Sequence, residues 1–407
     1  MVVTKRRTWR TLALVMVAAT MLAACGSDAE EGGGDDRKVA KIGVIVPLLA
    51  GSTAAGIGIR NSVDLAVQQA NDQNLIPGWR LEVAAEDDGG KPDIGGRAAT
   101  KLASDRAVVG VIGTYNSSVA QQTIPILDNA NIAQISPSNT NDTLTRGDNL
   151  ASPVRPHKNY FRTATLDSLQ GGFAADYAYS TANARTVVIV HDGKTYGKGL
   201  AESFQARFTK NGGSVLGEVK VIAEDVTDYS SDVTNIQPLN PDLIFYGGEN
   251  TAGARFTTEL KKQGVTVPLM GGDGIVVQTY VDSAKDAAKG DLGTSIGAPP
   301  EQLASAKAFL DAYKAAAYKD PSEAYGGLAY DAANSIIRAL VTVLPGKDEV
   351  DASVRQAVIA GIQTTNFDGA TGKVAFDQYG DTVTKTLTVY QVADNAWKPV
   401  KSGEFAA

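Results

Sequence analysis

The chain has 407 residues, of which 43% are hydrophobic and 20% charged, and these values exclude a disordered or collagen-like protein. The formal net charge is −7, from 38 basic and 45 acidic residues, and no basic stripe is present, so we expect no nucleic-acid partner. Two histidines and one cysteine are too few for a zinc or Cys–His site, and we expect neither a metal nor a cofactor.

The first 24 residues have the layout of a secretory signal peptide. A basic segment at residues 1–10 precedes an apolar run at residues 11–24, which is too short to cross a bilayer. The run leads into LAAC, ending at Cys25, which resembles the lipobox of bacterial lipoproteins, whose cysteine is acylated. Cys25 is the only cysteine of the chain, so we predict lipid attachment there. The alternative is an ordinary signal peptide with an incidental cysteine.

Residues 25–37 are acidic and rich in glycine, and they have no apolar residue larger than alanine apart from Cys25. Such a segment cannot bury itself and is predicted to be a flexible tether. With the lipid anchor, it would hold the rest of the chain at the extracytoplasmic face of the cell membrane.

From residue 39 onward, short β-rich runs alternate with helical patterns, which indicates parallel sheets with crossover helices. The predicted strands are residues 40–46, 80–85, 108–112, 132–135, 186–190, 215–222, 243–246 and 267–270. The predicted helices lie near residues 63–70, 97–104, 119–129, 169–182, 200–211, 252–263, 304–317 and 330–344.

The two series of strands share a layout in which a strand ends in glycine and polar residues just before a helix. This occurs after Gly113 in the first series and after Gly248 in the second. We therefore predict an α/β protein with two similar Rossmann-like lobes. Ligands bind beyond the carboxyl ends of parallel strands, so the natural site is the cleft between the lobes.

Two hydroxyl-rich strand ends in the first series suit an anion such as a carboxylate. Ser117 follows one strand and opens a helix, where free N–H groups and the helix dipole favour negative charge. Ser138 and Thr140 follow the next strand in the same manner. The simpler interpretation of Ser117 is a helix N-cap.

The second series supplies acids at matching places. Glu249 follows one strand end and Asp273 the next, and two carboxylates there suit an ammonium group. For either acid alone, a solvated turn position is the commoner case. Tyr196 also follows a strand and is a candidate to cover a ligand, although packing on its own lobe explains it equally well.

The sequence gives little support to a catalytic motif. Gly193-Lys194-Thr195 suggests a phosphate loop, but Val188 stands where that motif requires glycine. We therefore expect a protein that is not an enzyme.

Several motifs, taken in order and spacing, match a known family. They are KIGV at residues 41–44, RNSVDLAV at 60–67, VHD at 190–192, YGKGL at 196–200, FYGG at 245–248, YDA at 330–332 and FDGATGKVAFD at 367–377. From about residue 39 to 400 the chain resembles the type I periplasmic solute-binding proteins of the branched-chain amino-acid branch of ABC importers.

The resemblance implies a role for each candidate residue. It places Ser117 and Thr140 on the α-carboxylate of an amino acid, with Ser138 offering backbone groups. Tyr196 then closes over the ligand from the second lobe, and Asp273 binds the α-ammonium.

Three features depart from the family. Glu249 stands where many members have an aromatic residue, which adds an acid at the cation end of the site. Gly90 and Asn116 occupy the positions of a disulfide that many members carry. The first loop, residues 49–58, lacks the aromatic residue that often lines the side-chain pocket.

The resemblance also implies a function and a domain organisation. We expect a lipoprotein that captures a branched-chain or similar small amino acid and delivers it to an ABC permease, acting as a monomer. The lobes are predicted as residues 38–165 with 298–382 and residues 166–297 with 383–407, joined by three crossovers near residues 164–167, 297–300 and 380–384. The alternatives are the same fold binding urea or short amides, a sensor lipoprotein without transport, and an amide hydrolase.

Overall fold

The computed structural model describes residues 37–217, 219–223 and 225–405. The signal peptide, Cys25 and all of the tether except Arg37 lie outside these residues, and those assignments stay predictions. Within the described part of the chain, no helix combines the length and the apolar character needed to cross a membrane. The same residues contain no cluster of three or more His, Cys, Asp or Glu side chains that could hold a metal ion.

The strands are numbered in chain order. They are β1 Lys38–Val46, β2 Trp79–Asp87, β3 Val108–Gly113, β4 Ala133–Ser136, β5 Tyr160–Arg162, β6 Thr186–His191, β7 Ser214–Val215, β8 Lys220–Val221, β9 Leu243–Gly247, β10 Leu269–Gly271, β11 Leu292–Ile296, β12 Asn366–Gly369, β13 Gly372–Ala375, β14 Thr386–Ala393 and β15 Ala396–Glu404.

The helices are numbered in the same way. They are α1 Thr53–Asp72, α2 Pro92–Ser104, α3 Ser117–Asn129, α4 Thr143–Arg146, α5 Asp167–Ser180, α6 Thr195–Lys210, α7 Ser230–Ile236, α8 Asn250–Lys262, α9 Gln278–Ala284, α10 Ala304–Ala315, α11 Gly326–Val343 and α12 Ala352–Gln363.

Two large sheets organise the molecule. The first has the order β2-β1-β3-β4-β5 and is parallel throughout. The second has the order β15-β14-β11-β10-β9-β6-β7, with β8 also paired to β6, and only β14 and β15 break its parallel pattern. The prediction of an α/β fold with two Rossmann-like lobes is confirmed.

Each sheet has its own hydrophobic core, because buried β-branched strands face apolar helix stripes. In the first lobe, Ile42 and Ile112 pack with Ile336 of α11, so a helix late in the chain completes the first sheet. In the second lobe, Phe204 of α6 stacks on Phe245 of β9 with a ring-centroid distance of 3.8 Å. The first lobe is therefore built from two separate stretches of chain.

The chain passes between the two sheets three times, after β5, after β11 and after β13. A buried ion pair ties the first pass to the third. Arg162 is fully buried, and its Nε donates to Asp381 Oδ1 at 2.7 Å, while Arg146 Nε donates to Asp381 Oδ2 at 3.0 Å. Although burial opposes them, these guanidinium groups hold the pKa of the Asp381 carboxyl below its ordinary value. The numerical lobe boundaries given above stay a prediction.

Two local predictions are wrong. The single strand at residues 215–222 is two short strands, β7 and β8, separated by a turn at Gly217, whose φ is +69°. The first loop is shorter than predicted, because α1 already begins at Thr53. The first turn of α1 packs closely on the end of β1. A Cβ at Gly56 would lie 1.9 Å from the carbonyl oxygen of Pro47. Glycine permits this approach, which brings α1 to the mouth of the cleft.

Candidate functional site

The carboxyl ends of both sheets face a small cavity between the lobes. Its lining residues are Tyr115, Asn116, Ser117, Ser138, Tyr196, Glu249, Asp273, Gly274 and Tyr325. Five of the six ligand-binding residues predicted from the sequence thus surround one space. Thr140 is not among them.

The first lobe contributes the start of α3 to this cavity. β3 ends at Gly113, whose φ is +130° and where a Cβ would lie 2.2 Å from the carbonyl oxygen of Ile45. The chain then turns and Ser117 opens α3, with its side chain 98% buried. No described residue hydrogen-bonds to the Ser117 hydroxyl, which leaves it available beside the positive end of the helix dipole. This wall is suited to an anion.

Ser138 shapes that wall. Its hydroxyl donates to the carbonyl oxygens of Thr114 and Tyr115, at 3.2 and 3.1 Å. Its N–H donates to Ser136 Oγ at 3.2 Å. These bonds fix the turn that presents Ser117, so the geometry gives Ser138 a positioning role.

The structure places Thr140 away from the cavity lining. Thr140 is fully buried, and its carbonyl oxygen accepts the N–H of Asp167, the first residue of α5, at 2.7 Å. The chain turns toward the second lobe at this point, which directs Thr140 to the first crossover. The buried Thr140 hydroxyl has no hydrogen-bond partner among the described residues, and its predicted contact with a carboxylate stays a prediction.

Asp273 is the best-defined group of the second lobe's wall. It is 2% exposed, and its Oδ1 accepts the Tyr196 hydroxyl at 2.8 Å while its Oδ2 accepts the Tyr325 hydroxyl at 2.9 Å. No lysine, arginine or histidine within the described ranges pairs with it. Burial raises the pKa of the Asp273 carboxyl, and the two tyrosine hydroxyls counter part of that rise. A cationic ligand group would supply the missing charge.

Tyr196 lines the cavity and also donates a hydrogen bond to Asp273. Its hydroxyl also accepts the N–H of Gly274 at 3.1 Å, so Tyr196 holds the turn after β10. Tyr325, which the sequence analysis did not single out, reaches Asp273 from the opposite lobe. Its ring meets Tyr115 edge to face at 5.4 Å. The two lobes therefore touch directly at Asp273.

Glu249 forms a second bridge between the lobes. Its Oε2 accepts the Ser52 hydroxyl at 2.7 Å, and its Oε1 accepts from the Asn116 side-chain amide. Lys194 Nζ lies 3.6 Å from Oε1 and balances the charge of this carboxylate. Although Glu249 adds an acid to the cation end of the site, Asp273 is the acid without a cationic partner.

Asp88 lies buried behind this bridge. Its Oδ1 accepts the N–H of Gly90 at 2.8 Å, but no described residue donates to its Oδ2. Burial, together with the charges of Asp87 and Glu249, raises the pKa of Asp88 to about 7. Asp88 does not line the cavity, but its charge state is coupled to that of Glu249, which does.

Comparisons with known proteins agree with this architecture. A family model described as periplasmic binding protein matches residues 39–396. The chain belongs to the periplasmic binding protein family. A Leu/Ile/Val-binding protein of Rhizobium johnstonii is 29% identical over 351 residues, which cover 86% of this chain and 90% of that protein.

Solved structures show the same fold with different ligands. A branched-chain amino-acid transporter substrate-binding protein from Streptococcus pneumoniae, in complex with isoleucine, has a TM-score of 0.78 at 25% identity, covering 91% of this chain and 99% of that one. An ABC transporter solute-binding protein from R. palustris, in complex with benzoate, has a TM-score of 0.77 at 21% identity, covering 91% and 97%. The latter likeness concerns the fold alone.

The site of this periplasmic binding protein has the means to bind and orient a ligand. One lobe supplies a wall suited to an anion and the other supplies a carboxylate without a cationic partner, and the matched family is one of substrate-binding proteins. Sequence reasoning missed Tyr115, Asn116 and Tyr325 as lining residues. Tyr115 and Asn116 directly precede Ser117, so the strand-end signal that found Ser117 also covers them.

Proposed function

We propose that this chain is the substrate-binding lipoprotein of an ABC importer, which captures a small amino acid between its lobes and delivers it to a membrane permease. The proposal depends on one observation. The Ser117 hydroxyl at the start of α3 and the Asp273 carboxylate, which has no cationic partner, line the same cavity from opposite lobes. A zwitterion matches both charges, whereas a neutral ligand leaves Asp273 buried and uncompensated, which is costly.

Capture begins on the first lobe. The α-carboxylate of the ligand binds the Ser117 hydroxyl and the N–H groups at the start of α3. Closure then brings Asp273 to the α-ammonium, while the hydroxyls of Tyr196 and Tyr325 hold the Asp273 carboxylate in place. Because the bound ligand contacts both lobes, it shifts the population toward the closed form, which the permease recognises.

The ligand's side chain extends toward the mouth of the cleft. A second cavity lies there and shares Tyr115 with the central one. Ser52, Ala54 and Ala55 of the first lobe and Thr251 of the second line it. Small side chains on this wall leave room for a branched aliphatic group. Such a group would agree with the relatives that are named Leu/Ile/Val-binding proteins. The chain is held at the membrane's outer surface by acylated Cys25.

A thermal-shift screen tests the proposal. The panel contains the twenty amino acids, urea, acetamide and benzoate, and hits are measured by calorimetry. A ligand at 100 times its Kd stabilises the protein by about 2.7 kcal/mol, which a melting curve detects easily. We expect a branched-chain or similar small amino acid to give the largest shift. A shift from urea, acetamide or benzoate, with none from any amino acid, contradicts the proposal.

Asp273→Asn locates the site. Asparagine keeps the size and an oxygen acceptor for one of the two tyrosines but removes the charge, so we expect the affinity for the amino acid to fall about a hundredfold. Asp286→Asn, which removes an exposed acid of the same lobe outside the cavity, is the matched control and should bind as the unmodified protein does.

A further inference from the structure

A third cavity, which we call the side cavity, lies beside the cleft and is larger than the central one. Both lobes build it. Phe309 of α10 and Leu328 of α11 come from the first lobe, while Val277, Tyr390 and Trp397 come from the second. It has no lining residue in common with the central cavity. A molecule in the side cavity would therefore contact both lobes without occupying the central cavity.

The wall of the side cavity is mostly apolar, but one carboxylate interrupts it. Glu323 lines the side cavity and also the cavity at the mouth of the cleft. Its side chain is half-buried, and no described residue donates a hydrogen bond or forms an ion pair with its carboxylate. Burial raises the pKa of Glu323, and the nearby charge of Asp282 adds to that rise. Glu323 thus lacks the positive partner that a half-buried carboxylate needs.

Aromatic rings complete the lining. Trp397 is fixed by a hydrogen bond from its indole N–H to the carbonyl oxygen of Val277, at 3.1 Å, and its ring lies 5.6 Å from that of Tyr280. Tyr390 and Phe309 add two further rings to the cavity. Aromatic faces attract cations, and they also bury apolar groups. Rings and an unpaired acid in one cavity form the combination that recognises an ammonium ion attached to an apolar body.

We propose that the side cavity is a second ligand site, which takes an organic ammonium ion with an apolar body, its charge on Glu323 and its body among Phe309, Tyr390 and Trp397. Binding there does not depend on the function proposed above, because the side cavity shares no lining residue with the central cavity, although Val277 and Glu323 also line the cavity at the mouth of the cleft. Since the ligand touches both lobes, it favours the closed form and strengthens capture of the amino acid, and the effect is reciprocal.

Phenylethylammonium is the probe, and 2-phenylethanol is its neutral counterpart of similar size. By calorimetry on the full chain at pH 7.5, we expect the ammonium ion to bind about tenfold more tightly than the alcohol. Glu323→Gln should remove this preference while leaving the binding of the alcohol unchanged. Asp286→Asn, an exposed acid of the second lobe that does not line the cavity, is the control and should retain the preference.

Two further variants decide where the probe binds. Ala324→Phe places a ring in the side cavity from an exposed lining position and should abolish binding of both compounds. Asp273→Asn should leave binding of the ammonium ion intact. The proposal is overturned if Asp273→Asn removes that binding, because the probe has then entered the amino-acid site. It is equally overturned if Glu323→Gln binds the ammonium ion as well as the unmodified protein does, or if neither compound binds.

Discussion

Asp88 gives the sharpest test of the electrostatics behind the cleft. Its pKa in the folded protein is about 7, against an ordinary value of 3.8, because it is buried near other carboxylates. The folded protein therefore holds a proton between pH 4 and pH 7 that the unfolded chain has released. The stability from this group is fully present below about pH 4 and is lost as the pH rises through 7.

The size of the effect follows from the two pKa values. The rise from 3.8 to about 7 corresponds to about 4 kcal/mol, of which about 2–3 kcal/mol is lost between pH 5 and pH 8. Asp88→Asn removes the titrating group while keeping an oxygen to accept the N–H of Gly90. We expect the free energy of unfolding of Asp88→Asn, relative to the unmodified protein, to rise by about 2–3 kcal/mol over that interval.

Urea unfolding at pH 5, 6, 7 and 8 measures this difference. Comparing the variant with the unmodified protein cancels the other titrating groups, such as Asp291, whose pKa is raised to about 6. Asp286→Asn controls for the loss of one exposed carboxylate and should give a flat difference. A flat difference for Asp88→Asn as well would refute the reasoning, as would a gain by the unmodified protein with rising pH.

Two further predictions concern the hinge and the entrance of the cleft. Asp381→Asn leaves the buried Arg162 without its charged partner, and we expect a loss of about 3–5 kcal/mol in the free energy of unfolding by urea; an unchanged unfolding midpoint would mean that this pair does not hold the crossovers. Gly56→Ala drives a methyl group into the Pro47 carbonyl and should cost about 1–3 kcal/mol, whereas Gly96→Ala, whose Cβ would meet nothing closer than 3.8 Å, should be neutral or stabilising by up to about 1 kcal/mol. Equal effects of the two alanines on urea unfolding would show that the close approach at Gly56 does not affect the free energy of unfolding.

The arrangement of the site was largely predictable because parallel strands bring their carboxyl ends to one edge. Ser117 and Asp273 are 156 positions apart in the sequence, yet each directly follows a strand, and both face the same cavity. Glu249 follows a strand in the same way. Local sequence therefore carries the information needed to place these side chains at the cleft.

Other features depend on contacts that no local pattern reveals. Tyr325 lies at the start of α11, and only the return of the chain to the first lobe brings its hydroxyl to Asp273. The pairing of Glu249 with Lys194 likewise joins two distant segments, and it removes the surplus negative charge that the sequence alone indicated. Thr140 also follows a strand end, but its carbonyl oxygen accepts the N–H of Asp167 at the start of α5 and it does not line the central cavity, so its predicted contact with a carboxylate stays a prediction.

The most direct test of the central claim compares the best amino-acid ligand with two analogues that keep its side chain. One analogue lacks the α-carboxylate and the other lacks the α-ammonium, and calorimetry gives the Kd of each. We expect the amino acid to bind at least about a hundredfold more tightly than either analogue, since Ser117 with the start of α3 and Asp273 each recognise one charge. Binding of the acid without the ammonium group as tightly as the amino acid would contradict the account, because Asp273 would then have no partner in the ligand.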